Sequence, residues 1–230
     1  LSHIVEVAEI AMRIDKPVQL LWSREDDLRH GFYRPAAMMK IKATTDNEGR
    51  VTAWQARRSG ANITAQTMKN ALPGVLPSMP TSLLNGLVGV MDYVFENWAV
   101  DGSSVEGLHE TYSLPSYRVS HASVDHGLPT TFWRSVGHSY TSFAVESMMD
   151  ELAEARQIDP VALRLKNLED KPRMQNVVAQ AGKLMADMSV PENHHLGFAA
   201  HSSFGTDVAQ IAEVSAVSYT HLTLPTIVDV

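Results

Sequence analysis

Ten histidines and no cysteine bound the chemistry open to this chain. Without thiolates it holds no disulfide, no Cys-ligated zinc and no Cys-ligated iron–sulfur cluster. His194-His195 with His201 invite a metal reading. Adjacent histidines point apart in most backbones, however, and no carboxylate sits at ligand spacing. His121 and His126 give no metal-ligand pattern in the sequence either. His138 follows the run Trp133-Arg134-Ser135-Val136-Gly137. An imidazole titrating near neutrality there could polarise a bound group, or serve only as a hydrogen-bonded loop histidine. The carboxylates Glu146, Asp150 and Glu151 could do acid–base work as a pair. Glu146 and Asp150 are four apart, opposite an apolar stripe, so a solvated helix face or a helix-dipole contact is the simpler reading. Arg24-Glu25-Asp26-Asp27 reads as a structural loop network rather than a catalytic one.

These residues need elements to position them. The spacing of Ile4, Val5, Ala8, Ile10, Ala11 and Ile14 predicts a helix with one buried face over 2–14, ended by Lys16-Pro17. Residues 18–22 read as a short buried strand and 23–35 as a charged loop. Residues 38–45 and 51–57 predict a hairpin whose turn is Asp46-Asn47-Glu48-Gly49, Gly and Asn supplying positive φ. Residues 60–104, with Pro73, Pro77 and Pro80, read as a long excursion with short helices. Strands are expected at 117–124 and 128–133. A helix is expected over 139–157, with Phe143, Val145, Met148, Met149 and Leu152 inward and Glu146, Asp150, Glu151 and Glu154 toward solvent. Asp159-Pro160 starts a second helix, the Asp capping open N–H groups, and a third runs over about 174–188. Strands follow at 196–200 and 208–215, around Ser202-Ser203-Phe204-Gly205. This order gives an α+β chain.

Of the 230 residues, 44% are hydrophobic, enough for a packed core, and the net charge is -7. No basic stripe points to nucleic acid, and no apolar run is long enough to span a bilayer. Leu1 opens directly in an amphipathic pattern, so we expect an internal piece of a longer protein. The tail, residues 217–230, resembles a translated sequencing-adaptor read of the kind found at the ends of metagenomic gene fragments. A genuine β-rich terminus is the alternative. We set it apart from fold reasoning.

Four segments, in order, resemble the molybdenum-binding large subunit of the xanthine dehydrogenase and aldehyde oxidase superfamily. They are Lys16-Pro17-Val18 through Arg24-Glu25-Asp26-Asp27, with Arg29-His30-Gly31-Phe32-Tyr33-Arg34-Pro35; Phe132-Trp133-Arg134-Ser135-Val136-Gly137-His138; Val145 through Ala153 with Asp159-Pro160, Arg164 and Asn167; and Ser203-Phe204-Gly205-Thr206 with Val208 through Val214. The first two are most similar to the isoquinoline 1-oxidoreductase beta-subunit branch. The resemblance implies that residues 1–216 are part of the molybdenum-cofactor-binding domains of a molybdenum hydroxylase large subunit, with a sub-boundary near 125–140.

It further implies a molybdopterin, in the cytosine dinucleotide form, that carries Mo on its own sulfur ligands. Trp133, Arg134, Ser135 and Gly137 would be cofactor-binding. Arg134 would offer its fork of donors to a pterin carbonyl or phosphate oxygens, and the N–H groups of residues 133–135 would act as fixed dipoles. Gly137 would allow a tight turn. Val136 and His138 would line the substrate pocket, and Val136, unable to stack as an aromatic would, gives no ground for a purine substrate. Phe204-Gly205 would lie near the cofactor pocket. The implied activity is hydroxylation of an N-heteroaromatic, isoquinoline-like ring with water as oxygen source, or else aldehyde oxidation. Electrons would leave through a separate small subunit with [2Fe–2S] clusters, or to a cytochrome c. A non-catalytic homologue or scaffold is the rival. No catalytic residue is named, because the resemblance puts the glutamate base on a Gly-rich loop beyond Val214. Residues 1–216 alone are expected to retain no molybdenum. The compartment, bacterial periplasm or cytoplasm, stays open.

Overall fold

The computed structural model describes residues 2–124, 127–218, 221–222 and 226–229, with side chains over 3–124 and 127–215. His126 and much of the 217–230 tail lie outside the described residues. The helices are α1 (Ser2–Ala11), α2 (Arg24–His30), α3 (Ile63–Val75), α4 (Thr81–Asn97), α5 (Gly102–Val105), α6 (His138–Arg156), α7 (Pro160–Lys166) and α8 (Pro172–Ala186). The strands are β1 (Ala37–Thr45), β2 (Val51–Gly60), β3 (Tyr117–Ser123), β4 (His194–Ser203), β5 (Thr206–Ser218), β6 (His221–Leu222) and β7 (Thr226–Asp229). The chain is α+β and falls into two units.

The first unit holds Leu1–Ala36, Gly60–Asp101 and Ser123–Trp133. Here α3 packs on α4, and Asp101 ties down the start of α3 by accepting the Thr64 N–H at 3.0 Å and its hydroxyl at 2.7 Å. At 13 and 17 residues, α3 and α4 are longer than the prolines suggested. Three further expectations fail in this unit. Residues 18–22 form no strand and Leu21 is 80% exposed, because an apolar run becomes a strand only where a neighbour takes its backbone groups. The charged stretch 23–35 is not all loop. The Ser23 hydroxyl accepts the Asp26 N–H while Asp26 accepts the Ser23 N–H, a capping box that starts α2. Residues 128–133 contribute only one isolated parallel bridge, Tyr33 to Thr130. The α1 helix forms as expected, but Ile4 and Val5 are exposed rather than buried.

The second unit holds Ala37–Ser59, Gly102–Ala122 and Arg134–Val230. Its three-stranded sheet has the order β1-β2-β3, and β4 and β5 form an antiparallel hairpin. The core joins Trp54 and Ala56 of β2, Val145, Met149 and Ala153 of α6, Leu163 of α7, Val178 of α8, and Phe198, Ala200 and Ile211 of the hairpin. The expected turn at 46–49 is present, with Gly49 at φ 89° and the Asp46 carboxylate accepting the Glu48 and Arg50 N–H groups. Asp159 caps α7 through the Ala162 N–H at 2.8 Å. Asn167 binds this helical end to the turn: its side chain accepts the Val51 N–H at 2.8 Å and donates to the Gly49 carbonyl at 3.1 Å.

The α6 helix corrects the expected inside and outside. Phe143 is 74% exposed, whereas Glu146 is 5% exposed. Glu146 lies on the buried side because α7 brings a guanidinium to it, as described below. The backbone of β7 pairs with that of β5.

Candidate functional site

The second unit gathers its polar chemistry where the loop 134–137 meets the start of α6. Ser135 and Val136 both adopt left-handed backbone, φ 61° and 45°. For a β-branched valine this is costly and persists only where the surroundings impose it. Those surroundings are visible. The Ser139 hydroxyl donates to the Val136 carbonyl at 3.1 Å, and the Thr141 hydroxyl donates to the Gly137 and Glu106 carbonyls at 3.0 and 2.7 Å. The Gly137 N–H donates to Glu106 Oε1 at 2.9 Å. Gly137 itself has ordinary helical backbone, so the tight turn belongs to its two predecessors. What requires glycine there is close approach, since a Cβ would stand 2.6 Å from the Ser103 carbonyl oxygen.

Arg134 and Ser135 are exposed. Trp133, the last residue of the first unit, is also exposed, so it is no core tryptophan. His138 is buried and turned inward. Its Nδ1 lies 2.9 Å from His201 Nε2, and its Nε2 faces Glu106 Oε2 at 3.8 Å. His201 Nδ1 lies 3.3 Å from the Thr111 hydroxyl. Burial, and then the charge His138 can carry, hold His201 down at about 4, against an opposing pull from Glu110. Glu106 and Thr111 were invisible to sequence reasoning, because no local pattern announces a partner 31 or 90 residues away.

Beside this loop lies a cavity of about 770 Å³ between α6 and the β4–β5 hairpin. Ser135, Ser142, Ser147 and Gln210 give it hydrogen-bonding groups, while Phe143, Phe198 and Phe204 give it aromatic surface. Phe204 is held at this mouth by the two-residue turn of the hairpin, where it and Gly205 both take positive φ, 49° and 77°. Of the candidate residues singled out in the sequence, Ser135, Glu146, Asp150, His201 and Phe204 reach the cavity lining; Arg134, Val136, Gly137 and His138 stand in or behind the loop. His194 does not join His201 but pairs across the hairpin with Glu213 at 2.5 Å. Among the described residues no group of three or more His, Asp or Glu is placed to hold a metal ion, and no helix is long and apolar enough to cross a membrane.

The cavity floor is braced by Glu146. Its Oε1 accepts the Tyr112 hydroxyl at 2.6 Å, and its Oε2 accepts Arg164 Nε at 3.0 Å and the Ala200 N–H at 2.7 Å. Burial pushes this carboxyl above its ordinary range, while Arg164 and the donated hydrogen bonds pull it back. With every oxygen engaged inside the protein, Glu146 is a brace rather than a free acid or base.

Comparison with known proteins shows what this site is similar to. Residues 92–168, which contain the loop and all of α6 and α7, match the model of a molybdopterin cofactor-binding domain. The beta subunit of isoquinoline 1-oxidoreductase from Brevundimonas diminuta is 25% identical over 187 residues, 81% of this chain and 21% of the relative. Over that segment the chain is similar to the molybdopterin-binding subunits of the xanthine dehydrogenase family. A second relative is the membrane-bound aldehyde dehydrogenase [pyrroloquinoline-quinone] of Gluconacetobacter polyoxogenes, 26% identical over 69% of this chain and 18% of its own length. The chain thus spans about a fifth of the curated relatives it matches. The crystal structure of quinoline 2-oxidoreductase from Pseudomonas putida 86 shares the fold, with a TM-score of 0.56 and 13% identity over 86% of this chain and 25% of that one. The α+β fold of this chain is therefore shared with that structure.

Proposed function

We propose that the loop 134–137 of this chain cradles a molybdenum–molybdopterin cofactor, and that the parent protein is an oxidoreductase of the molybdenum hydroxylase type. The observation that carries the reading is the loop itself: left-handed at Ser135 and Val136, pinned from below by Glu106 and Thr141, and open at Ser135 to a cavity with hydroxyl, amide and aromatic lining. That donor set fits a flat heterocycle with carbonyl and N–H edges. When bound, such a group supplies two-electron oxidation with water as oxygen source.

The chain's own residues hold and orient. Arg134, exposed at the start of the loop, offers its donors to a pterin carbonyl or phosphate oxygen. Ser135 adds a hydroxyl at the cavity, and Trp133 borders the loop. Gly137 keeps the loop close to its support. Val136 leaves room where an aromatic would stack, which suits a bulky N-heterocycle of the isoquinoline kind, as the names of two relatives also suggest. Aldehyde oxidation is the second reading, favoured by the other relative. We further propose the cytosine dinucleotide form of the cofactor, a small [2Fe–2S] subunit as electron acceptor or a cytochrome c in its place, residues 1–216 as the family's portion of the chain, and a foreign origin for 217–230.

The test is Arg134→Ala in the complete parent enzyme. Molybdenum content should fall severalfold, and near-normal content would remove Arg134 from the cofactor site. A turnover screen of N-heterocycles against aldehydes separates the two substrate readings.

A further inference from the structure

Beneath the loop runs a continuous set of contacts whose two histidines the cofactor reading leaves unused. It passes from the Thr111 hydroxyl to His201 Nδ1 at 3.3 Å, and from His201 Nε2 to His138 Nδ1 at 2.9 Å. It continues from His138 Nε2 to Glu106 Oε2 at 3.8 Å and ends where Glu106 Oε1 accepts the Gly137 N–H at 2.9 Å. Phe204 covers the His138 ring edge-on at 5.2 Å. The charged groups facing the pair are Glu106 and Glu110; on β5, Asp207 is engaged by Arg173 at 3.1 Å. The run terminates on the segment where two non-glycine residues sit left-handed.

We propose that Glu106, His138 and His201 are positioning residues that share one mobile proton and, through Gly137, hold the 134–137 loop in its left-handed shape. Its functional meaning rests on the cofactor reading of that loop; the contacts themselves do not. The bond between the two rings has room for a single hydrogen, one nitrogen donating and the other accepting. A second proton, taken from solvent, sets N–H against N–H and breaks it. The imidazolium of His138 then competes with the Gly137 N–H for the Glu106 carboxylate, and the loop loosens. The depressed proton affinity of His201 agrees with a pair that resists the second proton.

The test follows the Gly137 amide and both imidazole rings by NMR as pH is lowered, in the full chain. The Gly137 signal should move with the midpoint of the His201 ring. Its hydrogen exchange, corrected for the intrinsic pH effect, should rise about fivefold, the change expected for one lost hydrogen bond. In Glu106→Gln the amide keeps an acceptor and should stop following the rings. In His201→Phe, with the bond between the rings gone, the Gly137 step should leave its wild-type midpoint, while the Ala200 amide, held by Glu146, stays protected and reports an intact fold. A Gly137 signal unmoved through both ring titrations overturns the proposal. So does a step that keeps its wild-type midpoint in His201→Phe, which would show that the ring pair is not its origin. Failure of the cofactor reading would show separately, in the molybdenum content of Arg134→Ala.

Discussion

Glu146 of α6 and Arg164 of α7 are eighteen residues apart in sequence and meet at 3.0 Å with almost no solvent on either. The guanidinium also donates to the Glu146 and Phe198 carbonyls and reaches Asp150 at 2.8 Å. One ion pair thus fastens α6, α7 and β4 together under the cavity.

Removing one half of that pair should be costly. Glu146→Leu takes from the guanidinium its buried carboxylate, leaving only the half-exposed Asp150, and strips the Tyr112 hydroxyl and the Ala200 N–H of their acceptor; it should destabilise the chain by about 3–5 kcal/mol. Replacing both partners, Glu146→Leu with Arg164→Met, should recover much of the loss, because two desolvated charges go together. Urea unfolding of the three variants checks this; equal losses in the single and double variants would show that the pair is not the origin.

Asn167 should behave as a clasp. Its amide serves the Val51 N–H and the Gly49 and Leu163 carbonyls, all in buried surroundings. Asn167→Ala leaves the β2 N–H without its acceptor and should cost about 1–3 kcal/mol. Hydrogen exchange at Val51 should quicken while that of β4 does not.

Gly137→Ala should displace the loop although the backbone there is ordinary. The added methyl meets a main-chain oxygen, which cannot swing aside as a flexible side chain would. A loss of about 1–3 kcal/mol is expected, as for overpacking. Molybdenum occupancy of the parent enzyme should fall with it. Gly205→Ala has open space around its Cβ but a positive φ, so it should strain the hairpin turn and leave the loop signals unchanged.

Acid should weaken the fold through His201. Its value of about 4 lies below the ordinary 6.5, so between the two the unfolded chain binds more protons than the folded one. This group's contribution is therefore fully present above about pH 6.5 and is lost as pH falls through the window toward 4. Thermal melts across that range should show a declining Tm, and His201→Phe should flatten the decline. An unchanged slope in the variant would assign the decline to other groups.

The sequence by itself determined several local elements and the resemblance to the molybdopterin-binding subunits. Helical periodicity placed α6 and α8, Asp159-Pro160 placed the start of α7, and the Gly49 turn placed the β1–β2 hairpin, because each rests on interactions among near neighbours in the chain. The run from Trp133 to His138 marked the loop for the same reason: its pattern is contiguous. Only the tertiary structure decided which faces are buried. Four-residue spacing puts Glu146 and Asp150 on one side of α6, but nothing in that spacing says that Arg164 and the Ala200 N–H will arrive there. A carboxylate goes inside when its partners do, and those partners come from α7 and β4. The same holds for residues 18–22, where an apolar run found no strand to pair with, and for Gly137, whose need to lack a side chain is set by the Ser103 carbonyl rather than by its own φ. His138 is the clearest case: a lone histidine in the sequence, it becomes one half of a proton-sharing pair only when the β4–β5 hairpin folds back to bring His201 within 2.9 Å.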